Sequence, residues 1–416
     1  MINKLKFLLI ITLLISFPLI LKAQEDIGIT LPKGFKAYIF ADNIGRARHI
    51  TVNDNGDVYV ALRELKNEYG VVALRDSDND HSADKIEYFF PLPGTGIHWK
   101  SPWLYIAPDT AVYRIKMDGD ELVPSNNPEK IIQGLALQRQ HAAKTIAFDH
   151  NDNLYLNIGA PANACQEDMR TPGSPGMDPC PLLEKYGGIW RFDANQSNQE
   201  LADAYHFATG LRHCVAIDWN SNDGNLYVVQ HGRDQLYSLF KDLFTREDNA
   251  KLPAEEFLRV PDGSDFGWPY CYYDHFQNKK VLAPEYGGDG KKIGRCGNTE
   301  DPLIGFPAHW APNDLLFYTG NQFPDHYHNG AFIAFHGSWN RAPFPQAGYR
   351  VVFVHFNKST PAKDWETFAN GFAGAEDLKS PYEAKYRPMG LAQSPDGSLY
   401  ITDSVKGRVW KVVYEQ

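Results

Sequence analysis

The chain has 416 residues, of which 43% are hydrophobic and 22% charged, and it contains 34 glycines and 27 prolines. This ordinary globular composition excludes a disordered, collagen-like or membrane-embedded protein. The 51 acidic residues outnumber the 41 basic ones and give a net charge of −10, so the chain lacks the positive field that a nucleic-acid partner would need.

The amino terminus has the pattern of a secretory signal peptide. Two lysines precede an apolar run at 7–20, and Ala23 supplies a small residue for cleavage. The run is shorter than the ~20 residues of a transmembrane helix. We therefore predict that residues 1–23 are a signal peptide. The mature chain, 24–416, is expected to be periplasmic or secreted and to have no membrane span.

A short unit recurs six times: a turn rich in Asp, Asn and Gly, followed by a β-prone run. The copies lie at 53–62, 101–108, 149–159, 220–232, 327–337 and 394–403. Further β-prone runs follow at 111–116, 188–192, 349–356 and 407–413. Units at least ~45 residues apart, mostly without long amphipathic helices between them, predict an all-β fold, a single six-bladed β-propeller over 24–416.

Closure of this propeller is expected to pair the strand at 408–413 with a strand near the mature amino terminus, which removes the exposed sheet edges. A β-sandwich is the alternative, because sandwiches space short strands at similar intervals.

An acidic loop carries Asp76, Asp78, Asp80 and Asp84 at positions 1, 3, 5 and 9 of a calcium-type loop. Carboxylates at this spacing can surround a hard cation, so the four residues are candidate calcium ligands. His81 replaces the glycine usual at position 6, so we do not interpret the loop as a full EF-hand. A solvated acidic turn is the alternative.

The five cysteines are interpreted in the light of export, which permits disulfides. Cys165 and Cys180 bracket one loop rich in Pro and Gly, and Cys271 and Cys296 bracket another. Proximity in sequence favours these two pairs over the other pairings. Cys214 then remains as a buried thiol in an apolar run.

The interval between the fourth and fifth units is extended. Residues 240–313 are expected to form a long rim insertion that contains a short helix at 253–259 and the second cysteine pair. Long stapled loops commonly lie at a functional rim.

Histidine and arginine recur next to predicted strand ends. These residues are His141, Arg212, His213, His231, Arg233, His336, Arg341 and Arg387. If the ring closes, they converge on its axis, where a polyanionic planar ligand would match, because guanidinium groups bind carboxylates bidentately and stack on aromatic faces. Structural roles are the alternative: a lone histidine is more often structural, and the residues at 212–234 could form an internal network with Asp218 or Asp234.

At these residues the chain resembles the glucose/sorbosone dehydrogenase family of soluble quinoproteins, a group that includes the fungal pyranose dehydrogenases. The segments that carry the resemblance are RQHAAKTIAFD, GLRH, HGRDQL, DFGWP, FHGSWNR and YRPMGLAQSPDGSLYITD. The resemblance implies a six-bladed propeller that binds pyrroloquinoline quinone and calcium. It also implies oxidation of a sugar, aldose or polyol hydroxyl by hydride transfer to the quinone, with an external electron acceptor.

The resemblance further implies roles for single residues. His141 matches the general base, and Arg212 matches the arginine that faces the reactive quinone carbonyl. Gly232 and Arg233 match positions whose backbone carbonyls bind the calcium. The other implied cofactor-binding residues are His213, His231, His336, Arg341 and Arg387, of which His213 and His231 replace an Asn and a Gln of the glucose enzymes.

Two other functions compete with this hypothesis. A calcium-dependent propeller lactonase would need carboxylates at the axis, where Arg and His dominate here. A non-enzymatic propeller could use the same clusters to bind an acidic glycan or protein. Under the oxidoreductase hypothesis, substrate specificity is expected in the rim loops at 160–185 and 240–310.

Overall fold

The computed structural model describes residues 27–415, which form a closed ring of six β-sheets with very little helix. Each sheet has four strands or, in one case, five, and the inner strands of neighbouring sheets pack against each other all the way round. The prediction of a six-bladed all-β propeller is confirmed. The predicted signal peptide at 1–23 lies outside the described residues.

Strand β1 (Phe35–Ala41) precedes the first blade, which comprises β2 (Ala47–Val52), β3 (Val58–Lys66), β4 (Tyr69–Arg75) and β5 (Lys85–Phe89). The second blade comprises β6 (Gly94–Lys100), β7 (Trp103–Pro108), β8 (Val112–Lys116) and β9 (Glu129–Ile132). The third comprises β10 (Ile146–Phe148), β11 (Asn153–Ile158), β12 (Gly188–Asp193) and β13 (Tyr205–Thr209).

The fourth blade comprises β14 (Ala216–Asn220), β15 (Asn225–Gln230), β16 (Glu255–Val260) and β20 (Ile304–Phe306). Between its last two strands lie β17 (Ser264–Asp265), which joins the third blade, and a hairpin of β18 (Cys271–Asp274) and β19 (Lys279–Leu282). The fifth comprises β21 (Pro312–Phe317), β22 (Ala331–Phe335), β23 (Arg350–Asn357) and β24 (Thr360–Ala369). The sixth comprises β25 (Pro388–Gln393), β26 (Leu399–Asp403), β27 (Val409–Tyr414) and β1.

The helices are short. The α-helices are α1 (Leu236–Leu239) and α2 (Arg246–Lys251), and 3-10 turns occur at Pro181–Glu184, Leu201–Asp203, Pro284–Tyr286, Gly294–Asn298, Asp325–Tyr327 and Pro381–Glu383. Among residues 27–415, no helix has the length and apolarity to span a membrane.

The sixth blade closes the ring as expected. Strand β1 pairs antiparallel with β27, with Ala37 opposite Val412 and Ile39 opposite Trp410. Each of the six recurring units is the second strand of a blade together with its preceding turn, and the runs that follow four of them are third strands. The repeat in the sequence is therefore the repeat of the blades.

The predicted helix at 253–259 is wrong, because Glu255–Val260 form β16, the third strand of the fourth blade. The carboxylates of Glu255 and Glu256 are buried and bonded: Glu255 accepts from the backbone N–H of Gly232 at 2.7 Å, and Glu256 pairs with Lys280 at 3.3 Å. These long-range contacts override the local helix propensity of the segment. The helix lies earlier, in α2.

Polar side chains link neighbouring inner strands. Asp218 accepts from the N–H of Phe317 at 2.8 Å, and Asp314 accepts from the N–H of Leu391 at 2.7 Å, which joins the fourth, fifth and sixth blades. At Gly96 the strands approach so closely that a Cβ would lie 2.6 Å from the carbonyl oxygen of Lys144. These contacts fix neighbouring inner strands relative to one another.

Two disulfides occur as predicted, Cys165–Cys180 and Cys271–Cys296, and Cys214 is a buried free thiol. Burial raises the pKa of the Cys214 thiol well above its ordinary value, so its thiolate is scarce at neutral pH.

We expect the native, unreduced protein to give no reaction with a thiol reagent and to give one equivalent per chain after unfolding. The physical reason is that Cys214 becomes accessible only when its core opens. A spectroscopic thiol titration with and without denaturant measures this. A reactive thiol in the native protein, or more than one after unfolding, would contradict the assignment.

Candidate functional site

The propeller topology brings one end of every inner strand to the same place. Each inner strand runs antiparallel to the second strand of its blade, so the residues before the inner strands and those after the second strands meet at one end of the axis. We call this end the axial mouth. His141, Arg212, His213, His231, His336 and Arg387 all lie at strand ends on this side of the ring.

Three histidines of the third and fourth blades form a stack at the axial mouth. The rings of His141 and His213 are 4.6 Å apart and nearly parallel, and His213 and His231 are 5.1 Å apart. His213 Nδ1 is buried and has no hydrogen-bond partner among the described residues. An unpaired buried polar atom favours a missing ligand or water at this point.

His141 is held in the form that a general base requires. Its Nδ1 lies 2.5 Å from the carbonyl oxygen of Ala160. Because a carbonyl only accepts, Nδ1 must carry the proton, and Nε2 is left as an acceptor. Burial lowers the pKa of His141 well below 6.5, and the charge of Arg212 lowers it further. The imidazole is therefore neutral at neutral pH.

Arg212 is buried, with 3% of its surface exposed, and its guanidinium is tightly positioned. Its Nε and Nη2 donate to the carbonyl and side-chain oxygens of Asn163, Nη1 donates to the carbonyl of Gly232 at 2.9 Å, and Nη2 also pairs with Asp234 at 2.9 Å. Four of its five N–H groups are thus used, and one on Nη1 remains available. The ion pair between Arg212 and Asp234 shows that part of the basic cluster at 212–234 is an internal network.

The sixth blade contributes a second basic group. The guanidinium of Arg387 donates to the carbonyl oxygens of His336 and Gly337. His336 Nε2 lies 2.7 Å from the hydroxyl oxygen of Ser404. Burial lowers the pKa of His336, with smaller effects from Arg387 and Arg48. His336 is therefore neutral, whereas the guanidinium beside it carries a full charge.

Sequence reasoning missed three further cations at the axial mouth, Arg48, Arg63 and Lys144. Nη1 of Arg63 donates to both carboxylate oxygens of Asp109, at 2.8 and 2.9 Å. Arg48 donates only to the hydroxyl of Thr95, at 3.3 Å. Arg48 is half-buried, and its pKa falls to about 9 because it is shielded from water and because Arg63 and other arginines lie near it.

Lys144 is fully buried, and its ammonium group is hydrogen bonded to neutral oxygens only. It donates to the side chain of Gln138 at 3.0 Å and to the carbonyl of Ala142 at 2.8 Å. Burial lowers its pKa to about 8. Arg48, Lys144 and Arg387 thus lack an ion-pair partner anywhere in 27–415. Lys144 is buried and the two arginines are half-buried, so an anionic ligand would reduce the cost of removing these charges from water.

The sequence does contain a signal for two of the missed residues. Arg48 and Lys144 each stand five positions before the residue that opens the following turn, Asn53 and Asp149 respectively. Asn53 and Asp149 open turns of the same type, since each side chain accepts backbone hydrogen bonds from the residues two and four positions later. Alignment of the units on this turn would have placed both cations at the start of an inner strand.

Not every predicted site residue joins the cluster. The guanidinium of Arg341 donates to the backbone carbonyls of Pro345 and Ala250 and holds a rim loop rather than the axial mouth. The side chain of Arg233 forms a buried ion pair with Glu285 of the rim. Gly232 lies at the axial mouth, and its carbonyl oxygen already accepts from Arg212.

The acidic loop lies at the opposite end of the strands. It follows β4, and Leu74 near its start pairs with Val58, which begins β3. Asp76, Asp78 and Asp80 place carboxylate oxygens within 4.8 Å of one another.

Asp84 is not part of this group, and its carboxylate accepts from the N–H of Ser77 at 3.1 Å. The backbone of His81 has φ of 73°, the left-handed conformation in which glycine is usual. Glu87 occupies the twelfth position of the spacing, within β5. The loop is separate from the axial mouth, and calcium binding there stays a prediction.

The axis also contains two carboxylates, the half-buried Asp218 and the buried Asp314, in a channel below the axial mouth with a volume of about 230 Å³. Both accept hydrogen bonds from backbone N–H groups, and burial raises the pKa of Asp218 to about 7. These carboxylates join the blades, and neither lies in the basic cluster.

Several known proteins are similar to this chain. The model of the TrAA12-like family matches residues 29–415. A protein of Borreliella burgdorferi without an assigned function is 26% identical over 409 residues, which cover 95% of this chain and 93% of that one. A pyrroloquinoline quinone-dependent pyranose dehydrogenase of Coprinopsis cinerea is 28% identical over 229 residues, which cover 48% of this chain and 30% of the enzyme.

Solved structures share the fold. The holo form of the pyranose dehydrogenase PQQ domain from Coprinopsis cinerea has a TM-score of 0.75 at 19% identity and covers 92% of this chain and 97% of that domain. The calcium structure of a Trichoderma reesei enzyme of carbohydrate-active family AA12 has a TM-score of 0.74 at 18% identity, with 93% and 97% covered. The apo aldose sugar dehydrogenase of Escherichia coli is more distant, with a TM-score of 0.58 at 15% identity and coverages of 92% and 100%.

The family match covers the strands of all six blades and the residues at the axial mouth. This chain therefore belongs to the TrAA12-like family of β-propellers.

Proposed function

We propose that this chain is a pyrroloquinoline quinone-dependent oxidoreductase that oxidises a hydroxyl carbon of a sugar or polyol. The observation that carries the proposal is the pairing of a neutral, oriented histidine, His141, with a buried ammonium, Lys144, and a half-buried guanidinium, Arg48, that lack counter-ions. The cofactor is a planar tricarboxylate, and the unpaired cations Arg48, Lys144 and Arg387 would balance three carboxylates. The named relative in Coprinopsis cinerea supports the same chemistry.

The residues that would hold the quinone come from five blades. Arg48 and Lys144 approach the axis from the first and third blades, Arg387 and His336 from the sixth and fifth, and His213 from the fourth. Charged hydrogen bonds to carboxylates are stronger than neutral ones, and the low local dielectric strengthens them further. When bound, the quinone would accept the hydride that leaves the substrate carbon.

Calcium would be held by backbone carbonyls of Gly232 and Arg233, as the resemblance implies. The N–H of Gly232 is fixed by the carboxylate of Glu255 at 2.7 Å, which orients this turn. A calcium ion on the Gly232 carbonyl would share that oxygen with the hydrogen bond from Arg212.

His141 would take the proton of the substrate hydroxyl at Nε2. The hydrogen bond from Nδ1–H to Ala160 fixes the tautomer and the ring orientation, and it stabilises the imidazolium that forms. Asp234 favours that charge, since it raises the pKa of His141 against the opposing effect of Arg212. The free N–H on Arg212 Nη1 would donate to the quinone oxygen that gains negative charge during the reaction.

The two alternatives fit the site less well. A lactonase metal would require free axial carboxylates, but Asp109 and Asp234 are paired with arginines, and Asp218 and Asp314 are bonded to backbone N–H groups of the channel. A non-enzymatic binding protein would have no need of a neutral histidine with its Nε2 kept free. We retain export and an external electron acceptor as parts of the proposed function.

We expect the cofactor-free protein to bind one equivalent of pyrroloquinoline quinone in the presence of calcium, and then to reduce a dye with an aldose or polyol as donor. Chelation of calcium should abolish the activity. Calorimetry and absorbance of the reconstituted protein measure binding, with Arg341→Ala as a control that should bind like the parent. No quinone binding at any calcium level would refute the assignment of the axial mouth.

Replacement of Arg48 by Ala should weaken quinone binding by at least about tenfold, because one carboxylate loses its charged partner. The fold should be retained, since only one side-chain hydrogen bond, to Thr95, is lost. The comparison of dissociation constants for Arg48→Ala and Arg341→Ala provides the measurement. Equal affinities in the two variants would exclude Arg48 from the cofactor site.

His141→Gln should leave quinone binding nearly unchanged and lower turnover by roughly 10²–10⁴, the usual contribution of a general base. Because the pKa of His141 is lowered, its neutral form persists to a lower pH than that of an ordinary histidine. The acid limb of the turnover profile in the parent should therefore lie below the ordinary histidine value of 6.5. Full turnover in a quinone-bound His141→Gln variant would redirect the assignment to His213 or His231.

Arg212→Lys should impair both quinone binding and turnover, in contrast to His141→Gln. Lysine preserves the charge that pairs with buried Asp234 but cannot supply the planar fork that contacts Asn163 and Gly232. Quinone titration and steady-state kinetics on the same preparation measure the two effects. A loss confined to turnover would show that Arg212 does not contact the cofactor in the ground state.

A further inference from the structure

Trp339 lies between two contacts that form the wall of the axial mouth. Two residues before it, the carbonyl oxygen of Gly337 accepts a hydrogen bond from Arg387. One residue after it, the side-chain amide of Asn340 donates to Asp234 at 2.5 Å, the carboxylate that pairs with the buried guanidinium of the fourth blade. The indole therefore belongs to the stretch of rim between the basic groups of the fourth and sixth blades.

The loop that carries Trp339 is fixed to the rim insertion. Asn249 of α2 donates to the carbonyl oxygen of Asn340 at 3.1 Å, and Arg341 donates to the carbonyl oxygen of Ala250 at 2.8 Å. The backbone of a loop held in this way needs little further ordering when a ligand binds to a side chain on it.

The indole itself is unused by the fold. Trp339 is 57% exposed, and its ring contacts no other aromatic ring and donates no hydrogen bond within residues 27–415. An exposed aromatic ring that the fold leaves without a partner is free to stack on a ligand, and Trp339 differs from the other exposed aromatics in its place beside the axial mouth.

We propose that Trp339 is a stacking platform for a second sugar unit, adjacent to the unit oxidised at His141. The substrate class would then be a disaccharide or oligosaccharide of pyranose units. The inference rests on the proposed function of the axial mouth. A pyranose ring presents an apolar C–H face that can cover the indole, while its hydroxyl groups stay in water or bond to polar neighbours.

The exposure of Trp339 decides which unit it would contact. Arg212, whose charge acts on the proposed base, is 3% exposed, and His141 itself is half-buried. A ring that is more than half exposed lies further out, where the unit beyond the reacting one would emerge. The flanking residues Ser338 and Asn340 are polar, which suits a saccharide better than the contiguous apolar patch of a docking protein.

The test compares a monosaccharide with its dimers, using glucose, cellobiose and maltose as probes on the reconstituted enzyme. Trp339→Ala should raise KM for at least one disaccharide about tenfold, the usual scale of a lost aromatic contact, and leave KM and kcat for glucose within about twofold. Trp339→Phe, which preserves an aromatic plane, should restore much of the affinity. Phe276→Ala removes another exposed aromatic, one on the β18–β19 hairpin, and should behave like the parent.

Calorimetry of the same disaccharide with cofactor-free protein separates this inference from the proposed function. Failure to bind quinone would refute the function, whereas weaker disaccharide binding in Trp339→Ala would still support the platform. Equal loss for glucose and both dimers would overturn the platform, as would a parent protein that binds glucose but neither dimer. A change only in KM for a protein electron acceptor would also overturn it and assign Trp339 to acceptor docking.

Discussion

The pairing of β1 with β27 is the constraint on which the rest of the structure depends. It joins the two ends of the described chain and gives the sixth blade its fourth, outermost strand, so that β27 keeps no unpaired edge. A closed ring also fixes the direction of every inner strand relative to the axis. The chemical consequence is that strand ends far apart in sequence, such as Arg48 and Arg387, meet at one axial mouth.

This convergence is electrostatically unfavourable by itself. Burial and the nearby arginines lower the pKa of Arg48, and burial lowers that of Lys144, which means that each charge is destabilised in the folded protein. Hydrogen bonds to neutral oxygens satisfy the donors without neutralising the charge. Any anion that binds only the folded ring therefore stabilises it by mass action, and binding and stability are coupled at the axial mouth.

The rim insertion positions the site from one side. Asn163 contacts Arg212 and lies two residues before the disulfide at Cys165. Its carbonyl oxygen also accepts from the indole N–H of Trp268, a residue of the rim insertion. Glu285, from the same insertion, neutralises Arg233 beside the turn at Gly232. The two loops that interrupt the regular blades thus fix the groups on which the proposed chemistry relies, while the blades supply the frame.

Much of the fold and part of the site could be predicted from local patterns. The recurring turns, the spacing of the cysteines and the terminal strand are signals that a chain carries over a few residues, and each corresponds to an observed feature. The helix expected at 253–259 failed because the burial and pairing of β16 outweigh local propensity. The resemblance assigns Arg341 to the cofactor, which stays a prediction; in the structure its guanidinium donates to backbone carbonyls of a rim loop.

By itself, the sequence determined the number of blades, the two disulfides and the chemical character of the strand ends, because these depend on residue types at short spacing. Only the tertiary structure decided which side chains share the axial mouth, that Arg48 and Lys144 stand there without counter-ions, and that the acidic loop lies at the other end of the strands. Those facts depend on ring closure and strand direction. Both arise from contacts between residues hundreds of positions apart, which no local pattern records.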